Sequence, residues 1–400
     1  MISVDEAWEA LLAIAPLGTV ESLAVGDAAG RVLAEALSAK RTQPPGDVSA
    51  MDGYAVRFAD IQSGHTQFEV IGEAPAGGRF DATVGEAQAV RIFTGGLVPH
   101  GCDHVIIQED VAAETGDTPS IRLTDDQDAP RHIRKKGQDF VAGDVLLPAG
   151  HVMSPADLAV AANANHATLT VFARPRIAFV ASGDEIVAAG AATVDTHIPD
   201  SNSAALAAMV HAWGGACVAS IVTPDDVAAF TQAVETLPPA DIIVPIGGAS
   251  VGDYDFAKQV FCDLAYQPVF EKIAVKPGKP CWFAKRDDAL VLGLPGNPSS
   301  AMVTAHLFLR PLIARLAGHS DAAPRMAAGR VAHDVEANGS RESFLRGHWR
   351  IDDTGRVELH LSSRQDSALT TTFAEANCLV RRPAKAPALK AGAVVNYLPL

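Results

Sequence analysis

Cysteine is scarce and scattered in this 400-residue chain. The five residues, Cys102, Cys217, Cys262, Cys281 and Cys378, lie 115, 45, 19 and 97 positions apart, with no CxxC pair. That pattern excludes a zinc framework and a secreted disulfide scaffold, and an odd set of thiols reads as reduced in a cytoplasm. No apolar run approaches the ~20 residues of a membrane-spanning helix. The opening segment, MISVDEAWEALLAIAP, carries acids where a secretory signal needs a basic region. A soluble, cytoplasmic protein is expected.

Positive charge is also in deficit. Thirty-two Lys and Arg face 47 Asp and Glu, a net charge of −15. This excludes a nonspecific binder of nucleic acid or of anionic membrane. An anionic ligand must then be held by a local cluster of basic groups and backbone amides. The 33 glycines and 25 prolines follow no period, so a collagen-like polymer is excluded. With 48% hydrophobic and 20% charged residues the chain has ample material for cores and is not disordered. At about 100–200 residues per domain, two to four domains are expected.

Pattern divides the chain into blocks. Ser3 and Glu6 form a capping box ahead of Trp8, Leu11, Leu12 and Ala15, spaced as on a helix. After Pro44 and Pro45, short runs rich in Val, Ile and Thr between turn residues predict a β domain over 41–139. Ser154, Pro155 and Asp157 start another helix, and HATLTVFA alternates as a strand. A β segment between two mixed segments suggests an insertion, so 1–40 and 140–173 are expected to form one discontinuous domain. Beyond Arg174-Pro175-Arg176, strands IAFVAS, ACVASIVT, DIIVPI and ALVLGLP alternate with helices. One helix is capped by Ser201, Asn202 and Ser203, one runs over 225–237, and one runs over Ser299–Leu316 and stops at Gly318. This alternation predicts a mostly parallel sheet with helices on both faces over 174–320. Short strands over 321–400 predict a small barrel or sandwich.

In open α/β sheets, ligands bind beyond the carboxyl ends of the strands. IAFVAS runs into Gly183-Asp184-Glu185, DIIVPI into Gly247-Gly248-Ala249-Ser250-Val251-Gly252-Asp253-Tyr254-Asp255, and ALVLGL into Pro295-Gly296-Asn297-Pro298. Each turn alone is only a tight turn. Three in one sheet, two followed by carboxylates, favour a phosphate and metal site, because glycines let amides approach an oxyanion. Glu185, Asp225 and Asp255 would converge there as oxygen ligands of the kind Mg²⁺ takes; Asp225 reads equally as a helix N-cap or first-turn acid. Lys272, Lys276 and Lys279 fall within eight residues and flank these ends, so they make an anion pocket or a solvated face. Met51-Asp52-Gly53 reads by itself as a turn.

The segments SAMDGYAVR (49–57), RIFTGGLVP (91–99), RKKGQD (134–139), SGDE (182–185), GGASVGDYD (247–255), KPGKP (276–280) and LPGNP (294–298) occur in an order that resembles the MoeA family of molybdopterin molybdenumtransferases, related to the C-terminal domain of gephyrin. The resemblance covers essentially the whole chain. It implies an α/β multidomain fold: a central three-layer α/β/α domain similar to the molybdopterin adenylyltransferases, an inserted β-rich domain, a discontinuous N-terminal mixed domain and a C-terminal small β-barrel. It implies the last step of molybdenum cofactor synthesis, in which molybdate and adenylylated molybdopterin react and AMP leaves, with Mg²⁺, or Zn²⁺ as the alternative.

By the same resemblance Glu185, Asp225 and Asp255 form the acidic, metal-holding cluster, with Asp253 as the alternative to Asp255. Asp52 would join them in catalysis, and it and Thr94 would come from the inserted domain, which faces the partner subunit's α/β domain in a homodimer with a composite site. Arg134 and Asp139 would lie near that cleft. Ser182, Gly183, Asp184, Gly247, Gly248, Ser250, Pro295 and Pro298 would line it. Lys272, Lys276, Lys279, Arg346 and Ser367 would bind the pterin phosphate or molybdate. Ser182 stands where the family commonly has threonine, and FLRG (344–347) and QDS (365–367) carry the match in the last block. Contacts with a molybdopterin adenylyltransferase and with downstream cofactor-delivery proteins are implied; nucleic acid and membrane are not. Two other classes remain open: adenylyl transfer from ATP, and a non-enzymatic, gephyrin-like scaffold.

Overall fold

The computed structural model describes residues 1–114, 118–247 and 256–400. Its centre is a six-stranded sheet. Strands β1 (Arg176–Ser182), β2 (Ala216–Thr223), β3 (Ile242–Ile246), β4 (Gln267–Phe270), β5 (Trp282–Arg286) and β6 (Ala289–Gly293) stand in the order β2-β1-β3-β6-β5-β4. The first four in that order are parallel, β5 runs antiparallel to them, and β4, antiparallel to β5, forms the edge. The parallel core is expected from its unbroken apolar runs: β3 is buried at all five residues. The antiparallel edge is not part of the sequence expectation.

Helices cover both faces. On one face Phe179, Ile242, Val244 and Leu292 pack with α1 (Val4–Ile14), α2 (Ser201–Ala212) and a long helix. That helix has two α-helical parts, α5 (Pro298–Thr304) and α6 (Arg310–Leu316), joined by a π-helical turn, Ala305–Leu309. The other face packs Val180, Ile243 and Val291 against α3 (Val227–Glu235) and α4 (Phe256–Asp263).

The capping box at Ser3 and Glu6 forms, with Glu6 N donating to Ser3 Oγ and Ser3 N donating to Glu6 Oε2. Yet α1 buries Val4, Ala7 and Leu11 in the core of the three-layer unit, and Trp8 Nε1 donates to Leu307 O at 2.7 Å. A leucine so buried contributes about 1.5–3 kcal/mol. The chain that follows makes its own small core. Val20–Ala24 pairs antiparallel with Thr168–Phe172, and Leu37–Ser38 with Val145–Leu147, around Leu33, Met153 and Val171.

Between these halves lies a six-stranded sheet spanning Gly53 to Leu123, with separate apolar clusters around Val90 and around Phe68. At the other end, Ala327–Val331, Glu342–Ile351, Val357–Leu361, Cys378–Arg382 and Val394–Pro399 close into a five-stranded barrel, closure coming from the pairing of Glu342–Ile351 with Cys378–Arg382. Val275–Lys276 adds to the barrel beside Glu342 and Ser343. No helix among the described residues is long and apolar enough to cross a membrane.

Candidate active site

The carboxyl ends of β1, β2, β3 and β6 meet in a cleft of about 830 Å³. Backbone bonds draw them together: Gly183 N donates to Thr223 O, and Gly247 N donates to Leu294 O. Gly247 has φ +85°, and a side chain there would meet Ser182 O at 3.1 Å. Only glycine allows both that conformation and that approach. Of the residues expected here, Ser182, Glu185, Asp225, Gly247, Pro295 and Pro298 line the cleft.

Asp184 accepts the backbone amide of Asp225 at 3.1 Å, which ties the SGDE turn to the TPDD turn. The N-cap of α3 is Asp226, so Asp225 is left free of the capping role open to it in the sequence. Desolvation, then the charges of Asp184 and Glu185, push the Asp225 carboxyl above its ordinary pKa. A rim with this excess of negative charge favours a cation. Among the described residues no group of three or more His, Cys, Asp and Glu could by itself hold a metal ion. Asp255, like Asp253, Gly248 and Ser250, lies outside the described residues.

Ser182 Oγ is buried beside the Asp225 carboxyl, whose rise in pKa it partly offsets, and Asn202 Oδ1 is buried without a partner among the described residues while its Nδ2 donates to Gly296 O at 2.7 Å. A buried polar atom without a partner costs about 1–3 kcal/mol. Asn202 was expected only as part of a helix cap. The cap of α2 is instead Asp200, which accepts from Ser203 N at 3.0 Å, and Asn202 is freed to hold the LPGNP turn. A polar run longer than one cap needs, SNS after Asp200, is the signal that could have found it.

Asn297 occupies the N-cap position of α5 but makes no capping bond. Its Nδ2 donates to Ser367 Oγ at 3.1 Å, and Ser299 N donates to Ser367 O at 2.9 Å. Ser367 is thereby brought to the edge of the cleft. Arg346 is only 1% exposed and does not line the cleft. Its Nε and Nη1 donate to Gln365 Oε1 and Asp366 O, while Nη2 is buried without a partner. It braces the loop that presents Ser367.

Lys272, Lys276 and Lys279 are all exposed and form no ion pair among the described residues. Pro280, next to Lys279, lines the cleft, though none of the three lysines does. Their turn is packed onto α5: Gly278 has φ +111°, and a side chain there would lie 2.2 Å from Thr304 Cγ2.

In the inserted sheet, Asp52 Oδ1 accepts both the amide (2.7 Å) and the hydroxyl (2.8 Å) of Thr94. These bonds hold the Asp52 carboxyl below its ordinary pKa. Arg134 and Asp139 line a second cleft, of about 610 Å³, with Gly95 beside Thr94. Among the described residues, none lines both clefts. The expected site residues therefore fall into two groups on one chain, one on the three-layer domain and one on the insertion.

Glycine-knit parallel strand ends, carboxylates on the rim and a helical start at Asn297-Pro298 define a multidomain α/β protein with a cleft at the carboxyl ends of its parallel strands. Three family models match in sequence: the MoeA N-terminal region (domains I and II) over residues 2–164, a probable molybdopterin binding domain over 178–315, and the MoeA C-terminal region (domain IV) over 328–400. A molybdopterin molybdenumtransferase of Haemophilus influenzae is 34% identical across 100% of this chain and 98% of its own length. One from Nostoc is 32% identical over 93% of this chain and 86% of its own. A molybdopterin biosynthesis MoeA protein from Pyrococcus horikoshii has a solved structure that superposes with a TM-score of 0.84 at 26% identity, covering 100% of this chain and 99% of that one. The chain belongs to the molybdopterin molybdenumtransferase family.

Proposed function

We propose that the chain inserts molybdenum into adenylylated molybdopterin, consuming molybdate, cleaving the phosphoanhydride and releasing AMP, in the final step of molybdenum cofactor biosynthesis. It is a transferase. The observation that carries this reading is the meeting of SGDE, TPDD and LPGNP in one cleft of a chain that aligns end to end with proteins of that name.

Within this reading the pterin phosphates sit against the Gly247 and Pro295–Pro298 turns, with Ser182 Oγ and Asn202 Oδ1 taking ligand hydrogen bonds. Lys272, Lys276 and Lys279 reach toward the anionic end, and charge-assisted bonds from such groups hold an oxyanion. The Arg346 Nη2 is the spare donor beneath Ser367. Glu185 and Asp225, together with Asp255, would hold Mg²⁺, or Zn²⁺ as the alternative. The cation would offset phosphate charge and polarise a phosphoryl oxygen. A homodimer would bring Asp52, Thr94, Arg134 and Asp139 of one subunit to the cleft of the other. Delivery from an adenylyltransferase and hand-over to downstream proteins belong to the same reading.

The test is AMP release by the purified protein given adenylylated molybdopterin, molybdate and Mg²⁺. AMP should appear only with the adenylylated pterin, and ATP in its place should give none. Glu185→Gln should slow release on the order of a hundredfold, the size expected for losing one charged partner of the reacting group. AMP release unchanged in Glu185→Gln would remove the acidic cluster from the chemistry.

A further inference from the structure

A groove of about 580 Å³ lies apart from both clefts, lined by Arg174, Trp213, His306, Arg310, His319 and the chain end near Pro399. Two helices run from the active cleft to it. Asn202 at the start of α2 lines the cleft, while Trp213 caps the far end of α2 in the groove. Pro298 lines the cleft, and His306 and Arg310 follow on the same long helix. Twelve residues of helix span about 18 Å, so the groove is remote from the chemistry.

Its charge is opposite to that of the chain. Among the described residues Arg174 and Arg310 make no ion pair, and the one acid in the lining, Asp321, is already paired with Arg325 at 2.9 Å. The simplest alternative is that these arginines merely cap the carboxyl end of α2. The hydrogen bonds do not support it: Arg310 makes a single long one, 3.5 Å to Pro399 O, and Arg174 makes none. Arg310 is exposed, and partial desolvation lowers its guanidinium pKa somewhat.

The floor is aromatic and carries an unmet polar atom. His306 is 6% exposed, and its Nδ1 is buried with no partner. Its ring stands edge-on to Trp213 at 4.9 Å. His306 is held there by the π-helical turn Ala305–Leu309, a helical irregularity found often at functional sites. Cations without counter-ions above an aromatic floor suit one class of ligand: a flat apolar group bearing a negative charge.

We propose that this groove binds a small aromatic phosphate monoester, with the phosphate on Arg174 and Arg310 and the flat group against Trp213. The site is independent of the reaction assigned to the main cleft.

Phenyl phosphate is the probe, and Trp213 is the reporter. Saturable quenching of tryptophan fluorescence is expected at millimolar concentration, with inorganic phosphate and phenol each binding more weakly. Arg310→Ala should raise the Kd by roughly tenfold, the loss of one charge-assisted bond. Arg174→Ala should do the same, and because both arginines are exposed neither variant should unfold the chain. Trp213→Phe should abolish the quenching while calorimetry still detects binding. Lys276→Ala, beside the main cleft, should leave the groove's Kd unchanged. Absence of saturable quenching overturns the proposal. So does wild-type affinity in both arginine variants, or a dimer whose partner copy seals the groove against the probe.

Discussion

Asn297 Nδ2 donates to Ser367 Oγ at 3.1 Å, so a loop of the C-terminal barrel fastens the turn on which the main cleft ends. Seventy residues separate the two in sequence. The bond explains how a barrel with no place in the α/β sheet can still shape its ligand site.

Removing that bond should loosen the turn without unfolding the protein. Ser367→Ala keeps the backbone bond from Ser299, so only about 1 kcal/mol of positioning is lost. We expect KM for adenylylated molybdopterin to rise about fivefold with kcat little changed. Steady-state kinetics read both, and an unaltered KM would mean that the fastening does not serve binding.

Lys276 tests the anionic end. Charge-assisted bonds contribute about 1.5–3 kcal/mol each, so Lys276→Ala should raise the molybdate requirement by about tenfold to a hundredfold. High molybdate should restore part of the rate. If the pterin requirement rises instead, Lys276 holds phosphate; if neither substrate's requirement moves, it lies on a solvated face.

The separation of the two clefts on one chain gives a subunit test. Asp52→Ala and Glu185→Ala should each be inactive alone. Verified heterodimers of the two would keep one intact composite site of two, and so about half the activity. Heterodimers as inactive as their parents would place both residues in one chain's site.

Asp157 carries a pH signature. Hydrogen bonds from His151 first, then from Ser154, lower its pKa from 3.8 to about 2. A carboxyl depressed on folding contributes stability above its unfolded value and loses it as pH falls through the folded one. Asp157→Asn should therefore melt lower than the parent at pH 7, with a cost of about 0.5–2 kcal/mol for a weakened cap. The gap in melting temperature should close between about pH 4 and pH 2. A gap of constant size over that range would show that the charge of Asp157 is not what matters.

Local signals were legible wherever the chemistry is local. The box at Ser3, the N-cap at Ser154, the proline-led start at Pro298 and the stop at Gly318 are written in neighbouring residues and form as expected. The strands entering the cleft were visible as apolar runs. Asp52 and Thr94 were expected in one site and are hydrogen-bonded to each other. Less was visible at the antiparallel edge. Gln267–Phe270 and Trp282–Arg286 flank the lysine-rich segment, whose Lys and Pro hide any alternation, and they form by pairing with β6 and with each other.

The sequence by itself determined the order of the blocks, the apolar strands of the parallel sheet and the turns that end them, because periodicity and turn chemistry act over a few residues. Tertiary structure decided what those turns serve. Only folding places Asn202 on the Gly296 carbonyl, buries Arg346 to brace residues 365–366, and seats α1 on a sheet that begins at residue 176. Each is a contact between segments about 20 to 300 residues apart, where burial and hydrogen-bond satisfaction choose the partner and no local propensity records it.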